Sequence, residues 1–471
     1  MAALALFSTS CTAENPTQAP EGETEHITAS NPANGIDTPH TVTEVGWQWE
    51  APEDTVISEV HTIPSGVVVS VSDGVIALRG DTGEEIWRYR RVGTTASGSN
   101  VTPSGDSVAV SYEADGESGT ATANHDVVVL DSLTGEITSE QGTDFTLVNS
   151  IPQEISLLEP TPERLGLLTQ DHRLTLGHDG EGGLALRAIG LSSGEEEWEQ
   201  HQVFQPNDQG QEFLPGELAT VEEAVIVTGA FADPMESASD LDAVQEHTSV
   251  IVGLDSDSGE EIWRVEHELD APVTYRDIEL STYPGSGIVT AVMEGSGYFE
   301  QWLLDPATGD PVADDVFAIS GPDVISISQS GYATVETNHE AATDTYTLRD
   351  FSGASEEEIT VEESGVRKPK NFLLPMDSSV VRLRVGPADD GWKPATVEVF
   401  DWQGSVDPHV IELGIDVHRD PRVEESARPL FGVAPPTDVL LAPGAVVVTE
   451  VTEDTTVGDS DTESRRLVGL T

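Results

Sequence analysis

The sequence predicts an all-β fold, an eight-bladed β-propeller of four-stranded antiparallel blades with the ring closed by an N-terminal strand pairing with the C-terminal blade. Three observations predict it. A strand–turn–strand pattern returns seven times at blade-like spacing. Further strand-like runs precede the copies. The two ends of the sequence carry complementary fragments of one more unit.

The clearest copy is Ala77-Leu-Arg-Gly-Asp-Thr-Gly83-Glu-Glu-Ile-Trp87. Gly253-Leu-Asp255-Ser-Asp-Ser-Gly259-Glu-Glu-Ile-Trp263 and Ala188-Ile-Gly-Leu-Ser-Ser-Gly194-Glu-Glu-Glu-Trp198 repeat it. Four copies keep the strand and turn but lose the tryptophan, with turn glycines Gly135, Gly309, Gly353 and Gly404. Successive turn glycines lie 52, 59, 65, 50, 44 and 51 residues apart, the interval of propeller blades. Each copy has a local logic. An apolar alternating strand ends near Asp or Ser, whose side chain bonds the turn backbone, and glycine accepts the positive φ that the turn needs. Trp87, Trp198 and Trp263 fall four residues past the glycine, on the outer strand. Their fixed place in the repeat points to packing between blades rather than to stacking on a ligand.

In the first unit, Thr55–Ile63 and Gly66–Val71 supply the two preceding strands; in the fourth, Glu223–Gly229 and Ser249–Gly253 alternate in the same way. Four short antiparallel strands make one blade. At the C-terminal side, Arg466-Leu-Val-Gly-Leu-Thr471 reads as a third strand with no outer strand after it. Glu44-Val-Gly-Trp47-Gln-Trp49 reads as an outer strand with no blade before it. Joined, they complete an eighth blade and leave no open edge. Short helices are compatible with Gln153–Leu158 and Asp240–Gln245, without changing the class.

The chain has 471 residues, more than one compact core usually holds, and a closed repeat array accounts for that length. Lys and Arg together number 21 against 86 Asp and Glu, a formal net charge of -65. The only lysines are Lys368, Lys370 and Lys393. Such a field repels nucleic acid and anionic lipid surfaces. The 37% of hydrophobic residues, arranged in alternating runs, argue against a disordered chain. The acidity suits a salt-tolerant or halophilic source, where counterions screen the self-repulsion.

The single cysteine, Cys11, allows no internal disulfide and no Cys-based zinc or haem site. It follows an apolar run, Ala2–Phe7, and the small residues Ser8-Thr9-Ser10. This resembles the end of a bacterial lipoprotein signal peptide, which implies lipidation at Cys11. The position three before the cysteine is Ser8 rather than the usual Leu, and the missing basic run points to a start upstream. The domain reading is therefore a partial signal peptide over 1–11, a disordered tether over 12–43, rich in Pro, Thr and Glu, and the propeller over 44–471.

The run Ala-x-Asp-x-x-Thr-Gly-x-x-x-Trp is the signature of pyrroloquinoline-quinone (PQQ)-like propeller repeats. Ala77 to Trp87 resembles it, with Arg79 in place of the Asp, and Asp255, Gly259 and Trp263 match it elsewhere. The resemblance extends from about Val45 to Thr471 and implies the propeller fold. The family's dehydrogenases bind PQQ and Ca²⁺ under a vicinal cysteine pair; this sequence has no such pair and no run matching their calcium or base motifs. It is more similar to the non-enzymatic branch of bacterial lipoproteins, which includes an outer-membrane assembly scaffold.

Other chemistry finds little support. Asp255-Ser-Asp257-Ser-Gly259-Glu260 has the look of a calcium loop but lacks its third acidic position and distal Glu. Pro387–Gly391 reads as an acidic hairpin tip, and Asp416-Val-His418-Arg-Asp420 as a solvated loop. His172 and His178 flank one strand and lie about 20 Å apart, too far to share a metal. No serine-nucleophile elbow, zinc-protease helix or phosphate loop occurs.

The expectation is a non-catalytic, extracytoplasmic propeller without cofactor, a protein-interaction scaffold or sensor held to the cell membrane by lipid at Cys11. It would be a monomer and meet an envelope protein. Phe204–Glu217 and Asp233–Glu246 read as inserts that form a binding rim. The alternative is a PQQ-dependent oxidoreductase.

Overall fold

The structure, a computed structural model, describes residues 23–32, 34–113, 124–144, 167–178, 183–221, 223–232, 248–268, 278–282, 287–295, 298–312, 323–327, 331–338, 340–362, 373–384, 395–403, 407–415, 417, 439–450, 452–453 and 462–471. Among these the fold is all-β. Several sheets are four-stranded and antiparallel, which is consistent with a propeller. The only helical turn described is a 3-10 turn at Gln202–Phe204.

Sheet I contains Ile57–Ile63, Gly66–Val71, Gly74–Arg79 and Glu85–Arg91, each paired with the next. Sheet II is Ala96–Val101, Ser107–Glu113, Asn124–Asp131 and Ile137–Asp144. Sheet III has His172–His178, Leu184–Gly190 and Glu196–Gln200, with Leu168 bridged to Arg173 at its start. Sheet IV is Glu212–Val221, Ala224–Ala232, Thr248–Asp255 and Glu261–Glu268. Ile278–Thr282, Val289–Gly295 and Tyr298–Leu304 form sheet V. Sheet VI is Asp323–Ile327, Gly331–Asn338, Thr343–Asp350 and Ser355–Glu362; sheet VII is Leu373–Pro375, Ser379–Arg384, Thr396–Asp401 and His409–Glu412. Sheet VIII joins Val439–Ala442, Ala445–Thr449 and Arg466–Leu470 to Val45–Glu50 from near the N-terminus. A short ribbon, Thr452–Glu453 with Thr462–Glu463, stands outside these sheets.

The sequence dictates which strands sit inside. Gly66–Val71 is buried at every position, on both faces, and Val225, Ile226 and Val227 are fully buried in the second strand of sheet IV. Continuous β-branched runs of this kind belong to strands covered on both sides. Outer strands alternate instead. In Glu196–Gln200 only Trp198 is buried, and its charged neighbours face solvent. Neighbouring sheets share cores. Val67, Val69 and Ile76 of sheet I pack with Ala445, Val447 and Leu467 of sheet VIII. Comparable clusters join I to II, II to III, III to IV, IV to V, VI to VII and VII to VIII.

Two expectations need correction. The tether placed at 12–43 does not hold for its described part. Thr24–Ile27 is a strand that pairs antiparallel with Glu85–Arg91 and makes sheet I five-stranded. The following segment is hydrogen-bonded to short turns of four sheets: Ala29 N to Thr134 O (2.9 Å), Ile36 N to Pro64 O (2.9 Å), Gly444 N to Asp37 O (3.1 Å) and Ser378 N to His40 O (3.0 Å). Val42 is buried in the core shared by sheets VII and VIII. Composition suggested a coil because this strap is held by backbone and polar contacts rather than by large apolar side chains.

The second concerns Phe204–Glu217, read as an insert. Its latter part begins the first strand of sheet IV, Glu212–Val221. Phe204, Phe213 and Phe231 pack edge to face, with ring centroids 5.6 and 5.4 Å apart. Asp233–Glu246, Gln153–Leu158 and Asp240–Gln245 lie outside the described residues.

Candidate functional site

The repeat residues form one contact used again and again. Trp87, on the outer strand of sheet I, is fully buried; its Nε1–H donates to Ser132 O at 2.7 Å, in the turn that ends at Gly135. A Cβ on Gly135 would lie 2.6 Å from the indole, and its φ of +71° is one that L side chains rarely adopt. Both facts demand glycine there. Trp198 donates to Ser256 O (3.0 Å) and covers Gly259, while Trp263 donates to Pro306 O (2.7 Å) and covers Gly309. In each pair the accepting carbonyl is three residues before the turn glycine. Trp47 completes the set across sheets VIII and I, donating to Gly80 O (2.6 Å) and lying over Gly83.

In two copies without tryptophan, polar groups make the contact among the described residues. Gln141 of sheet II rests on Gly194 and donates through Nε2 to Leu191 O (2.6 Å), again three residues before the glycine. Gln403, next to the turn of sheet VII, donates to Glu357 of sheet VI at 3.0 Å. Gly353 keeps the left-handed φ of +81°. Gly404 and Cys11 lie outside the described residues.

A second group of residues carries charge into the interior. Arg90 is 1% exposed and makes two 2.7 Å hydrogen bonds to Asp73. Burial opposes its charge, but Asp73, with Glu25 and Glu85, outweighs that and holds the guanidinium above its ordinary pKa. Glu25, from the N-terminal strand, lies 3.2 Å from Arg90 and 3.1 Å from Arg88. Burial also pushes the Glu85 carboxyl up, against the Arg88 hydrogen bond that favours its charge. Between sheets VI and VII, Arg382 bonds Glu398 through Nε (2.8 Å), donates to Glu362 O (3.0 Å) and lies over the Phe400 ring. Burial raises the Tyr346 hydroxyl to about 12 and lowers Arg173 to about 10.

The Arg382 cluster ties sheet VII to sheet VI through Glu362 O, and the Arg90 cluster ties the N-terminal strand to sheet I. The turn at Asp255 is self-contained: its Oδ1 accepts from Asp257 N (3.2 Å), Ser258 N (2.9 Å) and Ser258 Oγ (2.7 Å). His172 is buried, with Nδ1 3.2 Å from Thr169 Oγ1 and Nε2 3.1 Å from Glu197. Among the described residues, no group of three His, Cys, Asp or Glu is placed to hold a metal ion. His418 and Pro387–Gly391 lie outside them. No described helix is long and apolar enough to cross a membrane.

Sequence reasoning missed Gln141, because it sits six residues after Gly135 rather than four. It also missed the Asp73–Arg90–Glu25 cluster, whose members are scattered along the chain. The run Arg88-Tyr89-Arg90-Arg91, in so acidic a sequence, was the available signal.

No protein-family model matches the chain, and no curated protein matches it. Among solved structures it is similar to a eukaryotic initiation factor, with 7% identity and a TM-score of 0.40 over 95% of this chain and 94% of that one. A quinohemoprotein alcohol dehydrogenase from Comamonas testosteroni aligns at 10% identity and a TM-score of 0.32, over 90% and 76% of the two chains. Hydrazine synthase from Kuenenia stuttgartiensis aligns at 14% identity and a TM-score of 0.30, over 52% and 63%.

Proposed function

We propose that the chain is an eight-bladed propeller, closed by its N-terminal outer strand, that serves as a non-catalytic protein-interaction scaffold at the cell envelope. The eight-blade reading rests on sheets I to VIII following one another in the chain and on the shared cores between them. It requires one further junction, between sheets V and VI. The PQQ-like repeat turns support the same branch of propellers, and Ser8-Thr9-Ser10-Cys11 supports a lipid anchor.

One observation carries the scaffold reading. In sheets I, II, IV and VI the first and third of the four blade strands are followed by two to five residues, such as 64–65 and 80–84, and in sheet VIII the first is followed by 443–444. The long connections follow second and fourth strands, as at 233–247, 385–395 and 413–438. Long connections attached to a rigid frame suit protein recognition. The strap, over 24–32 and 34–43, runs along the short-turn ends.

The test combines two measurements. Crosslinking of the tagged protein in its native envelope, at matched salt, should recover one dominant partner, with crosslinks on the long connections. A thermal melt with PQQ and Ca²⁺ should leave the midpoint unmoved; a rise of several degrees would sink the non-catalytic reading in favour of a quinoprotein oxidoreductase.

A further inference from the structure

We infer that the outer edge of sheet I is a strand-acceptor site for an acidic, extended polypeptide segment, and that the chain's own Thr24–Ile27 occupies it in cis. The inference concerns a sheet edge and stands whether or not the long connections hold a protein.

The site is built on Glu85–Arg91, the fourth strand of sheet I. Thr24, Glu25, His26 and Ile27 pair antiparallel with Arg91, Arg90, Tyr89 and Arg88. Side chains read the bound strand at two successive positions. Glu25 meets both Arg88 (3.1 Å) and Arg90 (3.2 Å), and its side chain is only 13% exposed. His26 Nε2 lies 2.8 Å from Gly135 O, and its ring stands edge-on to Tyr89 at 5.4 Å. A backbone ladder gives general affinity for a strand, and these contacts select a carboxylate followed by a hydrogen-bonding ring.

The receiving surface is set without the strand. Asp73 fixes Arg90 from below, Glu85 bonds Arg88 Nε at 2.5 Å, and Tyr89 is buried beside Tyr112. Gly135 is held by its own turn through Asp131. The strand, in contrast, buries almost nothing apolar. Three of its four residues are exposed, and Ile27 is 44% exposed. A short strand held by polar contacts opens at lower cost than the blade beneath it. Once open, it leaves an unpaired edge with arginines that have lost a carboxylate. In a chain of net charge -65, this arginine-rich edge is where an acidic segment from another protein finds local attraction.

The test uses the full chain carrying Glu25→Ala and His26→Ala, and a labelled peptide with the sequence of residues 21–30. Saturable 1:1 binding is expected. It should be at least about tenfold weaker on the parent chain, whose site is filled, and weaker by a similar factor for a peptide with the Glu25→Gln change. Equal binding to both chains, or to neither, overturns the inference. A parent-chain dimer that the peptide cannot dissociate overturns it too, by assigning the edge to a second copy. Hydrogen exchange on the parent supplies the check that needs no variant. The Thr24–Ile27 amides should exchange at least about a hundredfold faster than those of Gly74–Arg79. Equal protection would make the strand an integral part of the blade and end the proposal.

Discussion

The indole Nε1 of Trp87 stands 2.7 Å from the carbonyl oxygen of Ser132, and that one hydrogen bond ties the outer strand of sheet I to the turn of sheet II. The ring fills the space over Gly135, so the two residues are complementary in shape as well as in polarity. Replacing Trp87 by Ala should cost about 3–5 kcal/mol, the range for emptying a buried aromatic site. Replacing Gly135 by Ala attacks the same contact from the other side, through its φ of +71° and the blocked ring. Urea melts at fixed salt would measure both. A Trp87→Ala chain that unfolds at the parent's midpoint would refute the packing role.

Gln141 supplies a graded comparison. It makes the same kind of bond to Leu191 O but is only partly buried and covers less apolar area. Gln141→Ala should therefore cost about 1 kcal/mol, the worth of an ordinary hydrogen bond. Equal losses for Gln141→Ala and Trp87→Ala would show that the hydrogen bond, not the ring, carries the junction.

Asp73→Ala removes the two hydrogen bonds that compensate Arg90 in the interior. Breaking a buried pair from one side costs about 3–5 kcal/mol, because the remaining charge is stranded. Replacing Asp73 and Arg90 together by apolar residues should recover much of that loss. A double variant as unstable as Asp73→Ala would contradict this account.

The hydroxyl and backbone N–H groups of Ser258, with Asp257 N, hold the Asp255 carboxyl below its ordinary pKa of 3.8. A depressed folded pKa means that the turn's contribution is present above 3.8 and is lost as pH falls through the folded value. Protection of the Asp257 and Ser258 amides, taken against intrinsic exchange at the same pH, should fall in that acid range. The Asp255→Asn chain should show no such step.

The net charge of -65 sets a salt dependence. Self-repulsion weakens as the Debye length falls from about 10 Å at 0.1 M to about 3 Å at 1 M salt. The melting temperature should rise over that interval, and a flat or falling curve would remove the argument for adaptation to salt.

Much of the fold was legible because the repeat is a local device. The glycines at 83, 135, 194, 259, 309 and 353 all have φ between 68° and 81°, and the tryptophans follow at fixed distance. The pairing of Val45–Glu50 with Arg466–Leu470 was legible from two incomplete halves of one pattern. The strap was not. Its contacts to Thr134, Pro64, Asp377 and Thr471 are between residues far apart in the chain, and its composition is that of a coil. The Arg90 cluster was hidden for a related reason. A buried ion pair leaves no periodic trace, and Asp73 lies in a tight turn where an aspartate is unremarkable.

The pairing of Thr43 with Thr471 spans 428 residues and has a consequence for how the protein is made. On the ribosome, the strand Val45–Glu50 finds its backbone partner only after Arg466–Leu470 has been synthesised. Trp47 can meet Gly80 and Gly83 of sheet I well before that, but the backbone edge of the strand stays unpaired through the interval. Contacts at such sequence separation close slowly, and an unpaired strand with an aromatic face is a target for chaperones, proteases and other nascent chains. Biogenesis of this protein therefore depends on shielding the edge of one hexapeptide until its partner strand arrives.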